Sequence, residues 1–329
     1  MVCVACPFLQ IYGVMIMKIT ILDSATLGSD MEYDIFRSLG ETVVYKTTAP
    51  DEVEEHIGDS HVVIVNKIKL NESNLKNLKN LMLICVAATG YDNIDTEYCK
   101  SKGIAVCNVV GYSSHSVSQL TVAMALSLVC HLREYDDYSK SGAYTASGVQ
   151  NMLEPVYYEL AGKTWGIIGM GNIGKMVGKA AQALGCRVIY TRNSSDSQSV
   201  SLDTLLKESH IISIHTPLTE KTKSMIGERE LAICEKHPIL INVARGAVLD
   251  EAAVAKAVLD GQLSGFGVDV YAKEPFDKEH PYNSLKTYDN VIMTPHMAWG
   301  AYESRIRCLN EISENIKSFY SGGNKGRVV

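Results

Sequence analysis

The sequence predicts an α/β protein made of two doubly wound parallel-sheet domains. Apolar, β-rich runs alternate with helix-length segments almost throughout, and near-continuous apolar strands of this kind belong to parallel sheets covered on both faces. The runs fall into two sets, one over roughly residues 17–107 and one over roughly 108–296. The chain has 329 residues, enough for two domains with cores of their own.

The runs of the first set are KITILD (18–23), HVVIVN (61–66), LMLICVA (81–87) and GIAVCNV (103–109). The second set opens with SVSQLTVAMALSLVCHLREY (116–135), which reads as one strongly apolar helix. Then come TWGIIGM (164–170), CRVIYT (186–191), IISIHT (211–216), ILINVA (239–244), GFGVDV (265–270) and NVIMTPH (290–296). Beyond residue 296 the tail reads as one helix, YESRIRCLNEISENIKSFY, ending at Gly322–Gly323. A single helix cannot bury its apolar stripe by itself, so this one must pack on another part of the chain. The sequence holds no repeat, low-complexity tract or Pro/Ser-rich linker.

Apolar residues make up 46% and charged residues 21%, as in an ordinary soluble globular protein, and the net charge is -6. There is no basic block, which argues against nucleic acid or an acidic membrane surface as partner. The nine cysteines are scattered, and Cys3 and Cys6 form a C-x-x-C with no second pair nearby. Free thiols in a reducing cytoplasm are favoured over a metal site or disulfides. The first 17 residues, MVCVACPFLQIYGVMIM, are apolar and uncharged. They lack the positive charge of a secretory signal and are marginal in length for a membrane span. The expectation is that the natural protein begins at Met17, because MKITILDS reads as a clean first strand.

GMGNIG, Gly169 to Gly174, is a G-x-G-x-x-G placed between the strand TWGIIG and the helix KMVGKAAQALG, with the strand CRVIY next. In that context it is the fingerprint of a Rossmann dinucleotide-binding unit. Gly169 allows a tight turn, Gly171 lets the backbone approach a pyrophosphate, and Gly174 lets helix and strand pack closely. The helix N-terminus offers N–H groups and positive dipole to the phosphates. A packing turn without a ligand is the competing reading. NAD sites usually carry an acid at the end of the second strand. Here that end reads YTRNSS, with Arg192 at or next to the acid position and no acid until Asp196. An Arg among hydroxyls suits a 2′-phosphate, so NADP(H) is favoured over NAD(H). The alternative is that Arg192 lies over the adenine or in solvent.

Three polar residues stand at the ends of successive strands of this domain: Arg245 after ILINVA, Glu274 in GVDVYAKEP, and His296 in VIMTPHMAW. In an open α/β sheet those ends line the ligand crevice. Reduction of a 2-keto acid needs a group to hold the carboxylate, which the planar Arg fork does. It needs a proton donor for the carbonyl, which His provides near neutral pH. It also needs a carboxylate to orient that His. Arg245, His296 and Glu274 fill these roles. Taken singly, a structural His, a solvated turn Glu and a capping or surface-paired Arg are the competing readings. No His/Cys cluster has metal-ligand spacing, so no metal is expected.

From about Lys18 to Val329 the chain resembles the D-isomer-specific 2-hydroxyacid dehydrogenases, close to their glycerate dehydrogenase/hydroxypyruvate reductase branch. The motifs are VAATGYDNID (86–95), ELAGKTWGIIGMGNIGK (159–175), HTPLT (215–219), NVARGAVLDE (242–251), GVDVYAKEP (267–275) and TPHMAW (294–299). The resemblance implies a split, flavodoxin-like substrate domain of residues 1–107 plus 297–329, and an inserted Rossmann domain of residues 108–296. It implies a homodimer joined through the cofactor domains. It makes Arg245, Glu274 and His296 the catalytic Arg, Glu and His. It sets Asp269 near the nicotinamide amide, Thr216, Pro217, Val243 and Ala244 along the cofactor, and Asn172 and Ile173 at the pyrophosphate. It gives Ala88, Thr89 and Gly90 the role of receiving the substrate carboxylate through backbone N–H groups, with Asn66 and Lys67 on a neighbouring loop toward the substrate end. Two departures stand out, the Arg192 where Asp is usual and the apolar leader.

The activity expected is NAD(P)-dependent reduction of a small 2-keto acid, such as hydroxypyruvate or glyoxylate, to the D-2-hydroxy acid by hydride transfer. Two rivals remain. One is a nucleotide-sensing corepressor on the same fold, against which the lack of any peptide-binding extension counts. The other is a short phosphoglycerate dehydrogenase, kept open by Lys67 and Lys69. Formate oxidation fits less well, because the partner of the His there is typically Gln.

Overall fold

A computed structural model describes residues 16–192 and 196–329. The leader as far as Met15, with its Cys3–Cys6 motif, lies outside the described residues, as do Asn193, Ser194 and Ser195. The chain divides into two compact units, one formed by the chain up to Ser113 together with Gly300–Val329, the other by Ser114–Trp299.

The first unit holds five strands: β1 (Lys18–Ile21), β2 (Glu41–Val44), β3 (Val62–Val65), β4 (Leu83–Val86) and β5 (Ala105–Cys107). All pair in parallel in the order β2-β1-β3-β4-β5, the flavodoxin-like arrangement. β3 and β4 are buried along their whole length. That is why they read as unbroken apolar runs. β2 does not, and a search for such runs passes over it. It is an edge strand whose residues alternate between exposed and half-buried, and ETVV mixes polar with β-branched side chains accordingly.

The tail supplies the helix Tyr302–Tyr320 to this same unit. Its Cys308, Leu309, Ile312 and Ile316 are buried. Each large aliphatic side chain so covered contributes about 1.5–3 kcal/mol. Arg305 on its first turns donates to the Leu27 carbonyl at 2.9 Å and through Nη2 to Asp30 at 2.8 Å. The last residues close on β5, with Val328 N–H donating to Val106 O at 2.8 Å and Val106 N–H to Val329 O at 3.3 Å.

The second unit opens with the helix Ser114–Val129. The apolar run 116–135 is not one helix. It breaks at Cys130–His131, where His131 takes a left-handed φ of 49°, and the helix Leu132–Lys140 sets off at 62° to the first. The second piece is polar, LREYDDYSK, so its pattern changes where its environment does. Among the described residues no single helix is long and apolar enough to cross a membrane. Six strands follow: β6 (Thr164–Ile168), β7 (Arg187–Thr191), β8 (Ile211–Ile214), β9 (Ile239–Asn242), β10 (Gly265–Val268) and β11 (Val291–Met293). They pair in parallel in the order β11-β10-β9-β8-β6-β7. Side chains of opposite parity feed two cores. Ile212, Ile214, Leu240, Phe266 and Val268 enter one, while Trp165, Ile167, Ile211, Ile239 and Ile241 enter the other.

The unit boundaries fall later than the positions 107/108 and 296/297 expected from sequence. Residues 108–112 are tied to the first unit, with Asn108 N–H on Gly326 O, Val109 N–H on Ala88 O and Arg307 on Tyr112 O. Residues 297–299 are tied to the second, with Met297 and Ala298 N–H on Asp269 and the Trp299 indole on His296 O. Hydrogen bonding rather than hydrophobic pattern decides both edges, and the pattern is blank there. The described cysteines are free, and all but Cys130 are buried.

Candidate active site

In the second unit the chain leaves β6, runs out to β7, and returns to the other side of β6 at β8. The C-terminal ends of β6 and β8 therefore flank the point where a doubly wound sheet binds its ligand. β6 ends in Gly169, which has φ of +99°. A Cβ there would meet the His215 backbone carbon, just past β8, at 2.7 Å. Both the turn and the close approach require glycine. At Gly174 a Cβ would meet the Gly169 carbonyl oxygen, so the helix lies directly on the turn.

Gly171, the N-cap of the helix Asn172–Ala183, is exposed and nothing lies within 4 Å of where its Cβ would be. No side chain caps this helix, and its first turn, with Asn172 and Ile173, carries no acidic residue. An uncapped helix start with open space before it fits a dinucleotide pyrophosphate. Thr216 is buried, and Pro217 after it accepts a hydrogen bond from Thr222 Oγ1 at 2.7 Å. Val243 is buried and Ala244 half-buried beyond β9.

Arg192 follows β7 and is exposed, and Asn193 to Ser195 beside it are outside the described residues. One feature there eluded the sequence. Asp196 returns to the strand end, its Oδ2 3.5 Å from Arg192 Nη1 and 2.8 Å from the Tyr190 hydroxyl that donates to it. Its carboxyl is held below the usual range by the Gln198 N–H, the Tyr190 hydroxyl and Arg192.

β9, β10 and β11 are neighbours, and their ends carry Arg245, Glu274 and His296. Nδ1 of His296 lies 2.6 Å from Oε2 of Glu274. The other oxygen, Oε1, accepts from the Tyr271 N–H at 2.9 Å. Both carboxylate oxygens act as acceptors, so the imidazole proton in this pair sits on Nδ1 and Nε2 is the outward atom. Arg245 is half-buried and extended, with Nη1 donating to its neighbour's carbonyl at 2.8 Å. Asn242 fixes the turn by donating to Arg245 O at 2.9 Å and accepting from Ala244 N–H at 3.1 Å. Gly246 is demanded by packing: a Cβ would meet the Tyr271 backbone carbon at 1.9 Å and Ala272 N at 2.2 Å. The chain bearing Arg245 thus lies against the turn bearing Glu274.

Asp269 is fully buried at the end of β10. Its carboxylate accepts from Thr294 Oγ1 at 2.5 Å, Met297 N–H at 2.9 Å and Ala298 N–H at 2.9 Å. Its carbonyl accepts from His296 N–H at 2.8 Å. These bonds bracket His296, which has φ of 52°, a conformation few non-glycine residues adopt unaided. Burial pushes the Asp269 carboxyl up despite its donors. The resemblance set this residue near the nicotinamide, and its carboxylate here is spent on the loop of His296.

Asn66, Ala88, Thr89 and Gly90 belong to the first unit. Asn66 and Lys67 follow β3 at that sheet's own reversal of strand order, and the carboxylate of Asp23, after β1, receives both their N–H groups. Burial raises the Asp23 carboxyl against those bonds. The Asn66 amide donates to Thr26 at 3.0 Å. The 88–90 loop is moored by Thr89 Oγ1 on Val109 O at 2.8 Å and Asn108 on Thr89 O at 2.7 Å. Asp23 was legible only as the end of a strand.

A family profile described as D-isomer specific 2-hydroxyacid dehydrogenase, NAD binding domain, matches residues 122–298. A glycerate dehydrogenase of Methylorubrum extorquens is 34% identical over 306 residues, 93% of this chain and 96% of that protein. A glyoxylate reductase of Thermococcus litoralis is 37% identical over 273 residues, 80% of this chain and 81% of that protein. The crystal structure of D-lactate dehydrogenase from Aquifex aeolicus, complexed with NAD and lactic acid, is similar with a TM-score of 0.82 at 30% identity. It covers 95% of this chain and 99% of that one.

Proposed function

The chain belongs to the D-isomer-specific 2-hydroxyacid dehydrogenases, oxidoreductases that use a nicotinamide cofactor, and on that premise we propose that it reduces a small 2-keto acid, with Arg245, Glu274 and His296 as the side chains that bind and protonate the substrate. The observation that carries this reading is the 2.6 Å contact between His296 Nδ1 and Glu274 Oε2. The ring keeps the proton on Nδ1 against Glu274, and a second proton carried on Nε2 is the one given to the carbonyl oxygen, worth about 10²–10⁴ in rate. Glu274 orients the ring through its contact with Nδ1. Arg245 holds the substrate carboxylate and polarises the carbonyl. When bound, the nicotinamide supplies the reducing equivalent to the keto carbon. Asn172 and Ile173 N–H groups would hold its pyrophosphate, with Thr216, Pro217, Val243 and Ala244 along its length.

The substrate we favour is hydroxypyruvate or glyoxylate, since relatives of this chain include a glycerate dehydrogenase and a glyoxylate reductase. NADP(H) is favoured over NAD(H) on the strength of Arg192, although the lactate dehydrogenase holds NAD. We assign substrate binding to the first unit, through Asn66 and the Ala88–Gly90 loop, and cofactor binding to the second. A homodimer is proposed too, supported by the apolar segment around Val149, Leu153, Val156, Tyr157 and Tyr158, all exposed. The free cysteines fit a cytoplasmic setting.

The test is a spectrophotometric panel of 2-keto acids against NADH and NADPH. Oxidation of reduced cofactor with hydroxypyruvate or glyoxylate is expected. Silence with every small 2-keto acid would overturn the reading.

A further inference from the structure

Glu251 opens the helix Glu251–Leu259, yet it is not needed to cap it. Asp250 already accepts from the N–H groups of Ala252 and Ala253. A first-turn Glu usually points into water. This one turns inward, its side chain only 12% exposed, and meets His280, whose ring is 6% exposed. Nδ1 of His280 accepts from the Tyr282 N–H at 3.2 Å, so the ring proton is on Nε2. Nε2 lies 3.0 Å from Glu251 Oε2. The ring is wedged among Phe276 at 4.8 Å, Tyr282 at 4.9 Å and Tyr271 at 5.9 Å between centroids.

The free oxygen of Glu251 accepts from the Ala272 N–H at 2.9 Å. The preceding N–H, that of Tyr271, is the one that donates to Glu274. Two consecutive amides of one turn are therefore divided between Glu251 and Glu274. The same turn rests on Gly246, beside Arg245. Placing a carboxylate and an imidazole out of water is costly, and an apolar pair of similar volume serves stability as well or better. A polar pair here is explained by the direction it imposes on the turn.

We propose that Glu251 and His280 are a positioning pair for the proposed reaction, fixing the 271–274 turn so that the Glu274 carboxylate meets His296. This rests on the active-site reading of Glu274 and His296 above. Neither residue touches the reacting atoms; they act through the amide of Ala272. Displacement of a catalytic group by about 1 Å is enough to cost about 10²-fold in rate.

The experiment uses Glu251→Ala and His280→Phe in the full chain, the second keeping the ring packing while removing both hydrogen bonds. With a keto acid that the protein turns over, kcat falls at least about tenfold in each. KM and the affinity for reduced cofactor, read by fluorescence, change less than about threefold, because ground-state binding is left in place. Combined with Glu274→Gln, either substitution costs less than about twofold more, since residues acting as one unit are not additive. Wild-type kcat in a folded variant, or full additivity with Glu274→Gln, overturns the proposal. Parallel loss of kcat and cofactor affinity, or failure of both variants to fold, assigns the pair to stability alone and overturns it as well. Wild-type turnover in His296→Asn would instead bring down the active-site reading, and this proposal with it.

Discussion

His296 and Glu274 end different strands, yet Nδ1 of the one sits 2.6 Å from Oε2 of the other. Glu274 is itself oriented by the Tyr271 N–H. On the proposed reading the ring is tied through Nδ1 to a carboxylate and gives up a proton from Nε2, and the two parts of this device should fail differently. His296→Asn removes the donor and is expected to lower kcat by about 10²–10⁴. Glu274→Gln keeps a partner for the ring but removes the charge, and a smaller loss, about tenfold to a hundredfold, is expected. Cofactor affinity should be near wild type in both. Steady-state rates with a fluorescence titration check this, and near-normal turnover in His296→Asn would sink the assignment.

On the proposed reading, cofactor choice turns on Arg192 and the carboxylate facing it. Asp196 lies 3.5 Å from the Arg192 guanidinium, so a 2′-phosphate must compete with it. Both side chains are partly exposed, and the effect is accordingly modest. Asp196→Asn should raise the ratio of kcat/KM for NADPH over NADH by about three- to tenfold. Arg192→Ala should lower that ratio by about tenfold, mainly through KM for NADPH. A parent enzyme that prefers NADH, unmoved by either substitution, removes Arg192 from the binding site.

Asp269 predicts a loss of a third kind. Its carboxylate gathers Thr294, Met297 and Ala298 around the backbone of His296. Asp269→Asn leaves one of those donors facing an amide NH2 in a buried place. An unmet buried donor costs about 1–3 kcal/mol. The melting temperature is expected to fall, and kcat with it, because the left-handed φ of His296 loses its support. A variant with unchanged Tm and kcat would show that the loop holds without this carboxylate.

Both sheets, the glycine turn and the three strand-end residues were legible in the sequence because each has a local signature. Buried strands read as apolar runs, and Gly169 is forced by a turn that only glycine makes. What was missed is what depends on partners far along the chain. β2 carries half-exposed residues and leaves no run. Asp23, Asp196 and the Glu251–His280 pair show as single polar letters, and only folding brings them to the amides or charges they serve. The expected helix over 116–135 failed for a related reason, since the break at His131 is a backbone conformation without a glycine or proline to announce it.

Gly246 is such a partner-dependent feature with a sharp consequence. Adding one methyl places it 1.9 Å from the Tyr271 backbone carbon, which is not a flexible group. Gly246→Ala must therefore push the Arg245 turn and the Glu274 turn apart. Overpacking of this kind costs about 1–3 kcal/mol. Turnover should fall more than stability suggests, by at least about tenfold, because both displaced turns carry side chains proposed for the reaction. Thermal melting and kcat measured on the same sample test this, and a fully active Gly246→Ala would show that the turns can separate freely.

His215 ties folding stability to acid pH. Its imidazole is partly buried just past β8, with Nε2 3.0 Å from Ser213 Oγ and Nδ1 buried and, among the described residues, without a hydrogen-bond partner. Burial pushes its pKa down from 6.5 to about 3. In the unfolded chain the ring takes up a proton near its ordinary value, while in the folded chain it stays neutral until about pH 3. The unfolded state therefore binds more protons between those limits, and folding stability falls as pH drops through them. The contribution is intact above about pH 6.5 and is lost at about 1.4 kcal/mol per pH unit below it. Asp23 and Asp269, whose carboxyls are raised by burial, work in the opposite sense. Only the difference between parent and variant isolates the histidine. His215→Gln should unfold in urea with a ΔG that falls less steeply between pH 6.5 and 4.5, the two curves converging or crossing by about 2–3 kcal/mol over that range. Parallel curves would show that His215 takes up its proton in the folded protein as readily as in the unfolded chain.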